Sequence, residues 1–163
     1  MKLLLTSLIL ITLSVIADQG SKIWVRINVN PYESSTLLPN LLELTHVQNK
    51  GVSFSFLGNI ADSMRVPLLI VISLLAMGLL TYYWWRQRHQ LNALSHLAFQ
   101  LILGGAIGNL IDRTLFGAVT DFLHFRFYSI SFFVNNLADI LISAGVVIYL
   151  LGMLQASNRQ RES

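Results

Sequence analysis

The sequence predicts an all-α membrane protein: a bundle of four transmembrane helices with a small extracytoplasmic β-hairpin, or β-cradle, resting on the membrane surface. Four observations predict it. Of the 163 residues, 54% are hydrophobic and only 12% charged, where a soluble domain carries roughly 25% charged residues. Mean hydropathy is +0.61, more apolar surface than so short a chain can hide without lipid. Four stretches, at about 3–25, 66–85, 94–111 and 137–154, are apolar over the roughly 20 residues that a helix needs to cross a bilayer. Between the first two, Leu42-Glu43-Leu44-Thr45 and Val52-Ser53-Phe54-Ser55-Phe56 alternate with the period of a half-buried strand, around the turn formers Asn49 and Gly51.

The first span opens on Lys2 and a long apolar run, followed by Val15-Ile16-Ala17. That is also the pattern of a cleaved signal peptide. Apolar character resumes at Ile23-Trp24-Val25, however, and Asp18 and Lys22 stand four apart with the acid first, so they share a helix face. The segment reads as one continuing helix with a polar side. The second span ends on Trp84 and Trp85, the pattern of an interfacial aromatic anchor, before Arg86 and Arg88. These arginines, Lys2, Arg159 and Arg161 fall on one side of a four-span chain, so the positive-inside rule makes both termini cytoplasmic. The loops at about 26–65 and 112–136 then lie outside, where Lys50, Arg65 and Arg126 are diluted by Glu33, Glu43 and Asp62. Residues 1–163 read as one membrane-embedded domain. The absence of cysteine excludes a disulfide framework, a thiolate metal site and a thiol nucleophile. No basic aromatic patch points to nucleic acid.

All acidic residues except Glu162 fall outside or at the outer ends of spans. Asp18, Asp112, Asp121 and Asp139 adjoin apolar helix sequence, where an ionisable group is costly and a functional candidate. Asp18 has Lys22 one turn on, and Asp112 has Arg113 beside it, so both read as ion-paired supports. Asp121 and Asp139 have no basic residue within two positions. Two carboxylates brought together in apolar surroundings cannot both ionise easily, which supplies one acid and one base, as in aspartic proteases. Spacing alone equally allows Asp139 to serve only as an acid suited to the start of helix four. In Gly104-Gly105-Ala106-Ile107-Gly108-Asn109-Leu110-Ile111-Asp112-Arg113, residues Gly105, Gly108, Asn109 and Asp112 share one face, with glycines that allow close approach. Asn136 could cap helix four or orient Asp139. His46 and His124 suggest a metal alternative, with Asp121 three residues before His124. A carboxylate relay of a transporter needs polar groups through the whole membrane, whereas the cytoplasmic halves of three spans are almost entirely apolar.

Taken together, these segments resemble the signal peptidase II (lipoprotein signal peptidase) family over nearly the whole chain. The resemblance rests on Asp18-Gln19-Gly20-Ser21-Lys22, the run from Val47 to Phe56 with Asn49 and Gly51, the run from Gly104 to Arg113, Gly117-Ala118-Val119-Thr120-Asp121-Phe122, and Asn136-Leu137-Ala138-Asp139. It implies an aspartic endopeptidase of the bacterial cytoplasmic (inner) membrane, with its active site at the extracytoplasmic face. The enzyme would cut prolipoproteins before a diacylglyceryl-modified cysteine, with Asp121 and Asp139 as catalytic pair. Asn49, Gly51, Gly108, Asn109, Asp112, Arg113 and Asn136 would line or support the substrate groove, with Asp18 and Lys22 behind it. The resemblance further implies no metal or organic cofactor, membrane lipid as a partner, a monomer, and inhibition by cyclic-peptide antibiotics. Two positions depart from the family pattern. Asn135 stands where an aromatic is usual, and Phe133 where proline is common; both bear on the segment that leads into helix four.

Overall fold

The computed structural model describes residues 2–51 and 61–161. Its elements are helix α1 (Lys2–Asn28), strands β1 (Ser34–Leu38) and β2 (Leu42–Asn49), helices α2 (Asp62–Gln87) and α3 (Ala93–Phe116), strands β3 (Val119–Phe127) and β4 (Ile130–Asn135), and helix α4 (Leu137–Arg161). All four helices are long and apolar enough to cross a membrane, and each runs past its expected limits. Polar end turns explain the extension. Arg26 occupies the last turn of α1, where a cation suits the helix dipole. Helix α3 continues through Arg113 until Gly117, whose N–H bonds the Arg113 carbonyl at 3.1 Å.

Helix α3 is the hub. Half of its apolar window is buried, against 17% for α1 and α4 and 6% for α2, so α2 is the most loosely held helix. Close packing of α3 on α4 depends on Gly105. A Cβ there would lie 2.5 Å from the Ala138 carbonyl oxygen and 2.9 Å from Ile142 Cγ1, with no room for even a methyl group. At the end remote from the sheet, Asn92 caps α3 by accepting from Ser95 N–H at 2.8 Å and ties it to α4 by donating to the Gly152 carbonyl at 2.9 Å. The expectation for Trp84 is corrected here. Trp84 is buried against Phe99 and Leu103 and donates to His96 Nδ1 at 2.9 Å. Its indole N–H finds a partner on the next helix, so it has no need of the interface. Trp85 remains exposed, with the Arg88 guanidinium 4.1 Å over its ring.

The β element is an antiparallel sheet of order β1-β2-β3-β4. The expected strand at 42–45 is the start of β2. The expected second hairpin strand, over Val52 to Phe56, lies outside the described residues, and β2 pairs instead with β1 and β3. Strands β3 and β4 occupy a stretch read from sequence only as a loop. Their signal is present in Leu123-His124-Phe125-Arg126-Phe127, which alternates strictly, and in the β-branched and aromatic run from Ile130 to Val134. Glu43 accepts from Arg126 and bonds His124 at 3.0 Å, and the Arg126 hydrogen bond holds its carboxyl below the usual range. Inward, Phe122 packs on Val25 and Val29 of α1. This contact seats the inner end of the sheet on the helix bundle.

Candidate active site

Four aspartates meet where the sheet joins the helices; Asp18, Asp112 and Asp121 are almost fully buried and Asp139 is half-buried. Asp18 and Asp112 form one group with two cations. Lys22 Nζ lies 2.8 Å from Asp18 Oδ2 and 3.8 Å from Asp112, while Arg26 Nη2 reaches Asp112 Oδ1 at 2.7 Å. Asp112 therefore does not pair with Arg113 as its sequence position suggests. Adjacent residues point to different sides of a helix, and the true partners come from α1. The remaining oxygens of both acids fix backbone. Asp18 Oδ1 accepts from Ala138 N–H at 2.9 Å, and Asp112 Oδ2 accepts from Thr120 N–H at 2.8 Å. Each paired aspartate thus holds the chain one residue before one of the other two, Asp139 and Asp121.

Those two are held by amides. Asn49 Nδ2 donates to Asp121 Oδ2 at 2.8 Å, and Asn136 Nδ2 donates to Asp121 Oδ1 at 2.6 Å. Asn109 Nδ2 donates to Asp139 Oδ1 at 2.8 Å and receives Lys22 Nζ on its own oxygen at 2.9 Å. At the start of α4 the two sequence alternatives for Asn136 prove to be one device. Its side-chain oxygen accepts from Asp139 N–H at 3.1 Å, and its N–H donates to Asp139 Oδ2 at 3.3 Å. This is a reciprocal capping arrangement. Because Asn136 also donates to Asp121, it bridges both carboxylates. The departures at Phe133 and Asn135 leave that cap intact. They extend β4, where Phe133 lies across from Phe125 with ring centroids 5.2 Å apart.

Gly51 belongs to the same cluster. Its N–H donates to Asn49 Oδ1 at 2.8 Å, and it sits at φ 78°, a conformation that side chains resist. Gly108 packs against the Asp18 side chain, and its carbonyl accepts from Gln19 Nε2 at 3.0 Å. Arg113 lies within electrostatic reach of Asp139, Asp121 and Asp112. Asp121 and His124 do not converge. They point to opposite faces of β3, and His124 is engaged by Glu43 and Ser131. His46 bonds the Val29 carbonyl at 2.8 Å. Among the described residues, no three His, Cys, Asp or Glu side chains group as a metal site. Sequence reasoning missed Gln19, Arg26 and Thr120. For Arg26 the signal existed, since Asp18, Lys22 and Arg26 repeat every four residues along one face.

Burial lifts the Asp121 carboxyl to about 6, against the pull of the Asn49 and Asn136 amides; neighbouring Asp139 pushes it further up and Lys22 draws it down. A carboxyl poised there carries a proton over much of the mildly acidic range, beside a second carboxylate that can act as its counterpart. Two cavities open onto the pair. One of about 400 Å³ joins Asp121 to Tyr32, Gln48, Asn49 and Lys50. The other, about 470 Å³, joins Asp139, Asn109 and Arg113 to apolar side chains of α2 such as Ile72 and Met77. The carboxylate pair is thus reached from a polar side and from an apolar side.

This fold and this site define a polytopic membrane protein with an acidic centre where its helices meet a sheet. The family described as Signal peptidase (SPase) II matches residues 10–155. The lipoprotein signal peptidase of Syntrophotalea carbinolica is 38% identical over 144 residues, 88% of each chain. That of Shewanella pealeana is 37% identical over 153 residues, 94% of this chain and 88% of the other. A solved bacterial membrane enzyme superposes with a TM-score of 0.81 at 25% identity, covering 97% of this chain and 93% of that one. The chain belongs to the signal peptidase II family and is accordingly a bacterial membrane peptidase.

Proposed function

We propose that the chain is an aspartic endopeptidase that removes the signal peptide from prolipoproteins, cutting before a diacylglyceryl-modified cysteine. The observation that supports this reading best is the pair Asp121 and Asp139, held together through Asn136, which hydrogen-bonds both carboxylates. One carboxylate takes a proton from water as its oxygen attacks the scissile carbonyl. The protonated partner donates to the carbonyl oxygen. The tetrahedral intermediate then collapses, and the new amine of the cysteine leaves with a proton returned by the pair. Asn49, Gly51, Asn109 and Asn136 orient the carboxylates, and Arg113 supplies positive charge nearby. Gly108 lets α1 approach α3, while Asp18, Lys22 and Asp112 hold the frame. The apolar cavity beside Asp139 suits a substrate whose acyl chains stay in lipid while its peptide bond reaches the acids. In this reading residues 1–163 act as one domain and as a monomer, without a cofactor, and cyclic-peptide antibiotics inhibit by filling the same groove.

The test is cleavage of a lipid-modified prolipoprotein by the purified protein, with unmodified precursor and a chelator in parallel. Cleavage of the modified precursor alone, before the cysteine and unaffected by chelator, is expected. Equal cleavage of the unmodified precursor would overturn the substrate assignment, and loss of activity with chelator would overturn the metal-free mechanism. The proposed setting is the inner membrane, with both termini cytoplasmic and the acids at the extracytoplasmic face. Single cysteines at Lys50 and Gln87 should then label from opposite sides with an impermeant thiol reagent. Labelling of both from one side would refute that topology.

A further inference from the structure

We propose that Arg26 is a positioning residue for the reaction, acting through Thr120 to fix the strand that carries Asp121. The inference rests on the reading that Asp121 and Asp139 do the chemistry, and it concerns a side chain that touches neither. Arg26 Nη2 binds Asp112 Oδ1 at 2.7 Å, and Arg26 Nε donates to Thr120 Oγ1 at 2.9 Å. Asp112 Oδ2 in turn accepts from Thr120 N–H at 2.8 Å. These three bonds close a ring through one guanidinium, one carboxylate and one threonine. Phe116 completes it, with its ring centroid 4.1 Å from the guanidinium carbon.

The ring has a direct consequence for Asp121. Thr120 is the residue before it and is fully buried. With backbone N–H and side-chain oxygen both tied, Thr120 has one orientation. Gln48 adds a contact to the same oxygen at 3.3 Å, and the residue after Gln48 is Asn49, which donates to Asp121. Arg26 therefore joins the end of α1, the end of α3 and the inner ends of β2 and β3 at the residue next to the acid. Lysine cannot do the same, because an ammonium lacks the rigid fork that meets two acceptors in fixed directions.

Four variants test this with lipid-modified precursor: Arg26→Gln, Arg26→Lys, Thr120→Val and the double Arg26→Gln/Thr120→Val. Displacement of a reacting group by about 1 Å can cost on the order of 100-fold in turnover. Arg26→Gln should lower kcat by roughly tenfold or more within that range, leave KM unchanged, and move the pH profile of kcat to higher pH as Asp121 loses well-aligned amide donors. Arg26→Lys should restore much of the thermal stability by renewing the Asp112 ion pair, without restoring kcat. Thr120→Val keeps shape and backbone N–H and should match Arg26→Gln in kcat. The double variant should be little worse than either single one. Should Arg26→Gln fail to fold, Thr120→Val and Arg26→Lys carry the same test. Wild-type kcat and pH profile in folded Arg26→Lys and Thr120→Val would overturn the proposal, as would additive losses in the double variant. Asp121→Asn serves as a separate control. Full activity there would remove the catalytic reading itself, whatever Arg26 does.

Discussion

Asp18 and Asp112 sit among cations, whereas Asp121 and Asp139 are bonded by amides, although all four belong to one cluster in which three are buried and Asp139 is half-buried. The contrast shows how a protein can gather four like-charged groups by matching two with cations and two with amide donors. Lys22 and Arg26 match the charges of the first pair, so the ion group is close to neutral and its task is to hold backbone. Asp121 receives its hydrogen bonds from the Asn49 and Asn136 amides, and burial moves its proton affinity towards neutrality.

The largest effect should separate the pairs by turnover. Asp121→Asn or Asp139→Asn keeps shape and hydrogen-bonding capacity but removes the carboxyl. Each should cut kcat by about 10⁴-fold or more, with the double variant little worse, as for residues that act as one unit. Specific activity per folded molecule measures this, and substantial activity in either single variant would make Asp112 the next candidate. Asp18→Asn should act on folding instead. It leaves Lys22 with one fewer carboxylate contact in a buried site, a change that costs roughly 3–5 kcal/mol when a pair is broken. Thermal unfolding in detergent should show the loss.

The third prediction sharpens the contrast by pH. With its carboxyl lifted from 3.8 to about 6, folded Asp121 binds a proton more readily than the unfolded chain does. Stability from this group is therefore complete below about pH 4 and is lost as pH rises through about 6, a change of roughly 3 kcal/mol. Asp121→Asn should remove that dependence, and denaturation of the two proteins at several pH values would expose it. If wild type and variant show the same pH dependence, Asp121 is not buried as an acid. The smallest effect should come from Glu43→Gln on the outer part of the sheet, where the partners are Arg126 and His124. A slightly lower melting temperature with unchanged turnover is expected.

What could be read in sequence divides along the same physical lines. The four spans were legible because each is a long apolar run, a signal that needs no knowledge of partners. Asp121 and Asp139 stood out through the lack of cations beside them in sequence and through the family motifs. Their convergence depends on Gly105 admitting α4 and on the turn after Gly117, which no periodicity records. The partners of Asp112, Lys22 and Arg26, are not legible from adjacency, because ion pairs across helices follow tertiary packing. The alternation of Leu123 to Phe127 is legible in sequence, but β3 and β4 become a sheet only through pairing with β2, a strand far away in the chain.

The cap of α4 has a further consequence. Asn136 closes the first turn of the helix with the same bonds that bring the two acids together. Fraying of that turn and dismantling of the acidic pair are then a single local opening event. Slow hydrogen exchange at the Asp139 amide would report on an intact acidic pair, without any substrate present.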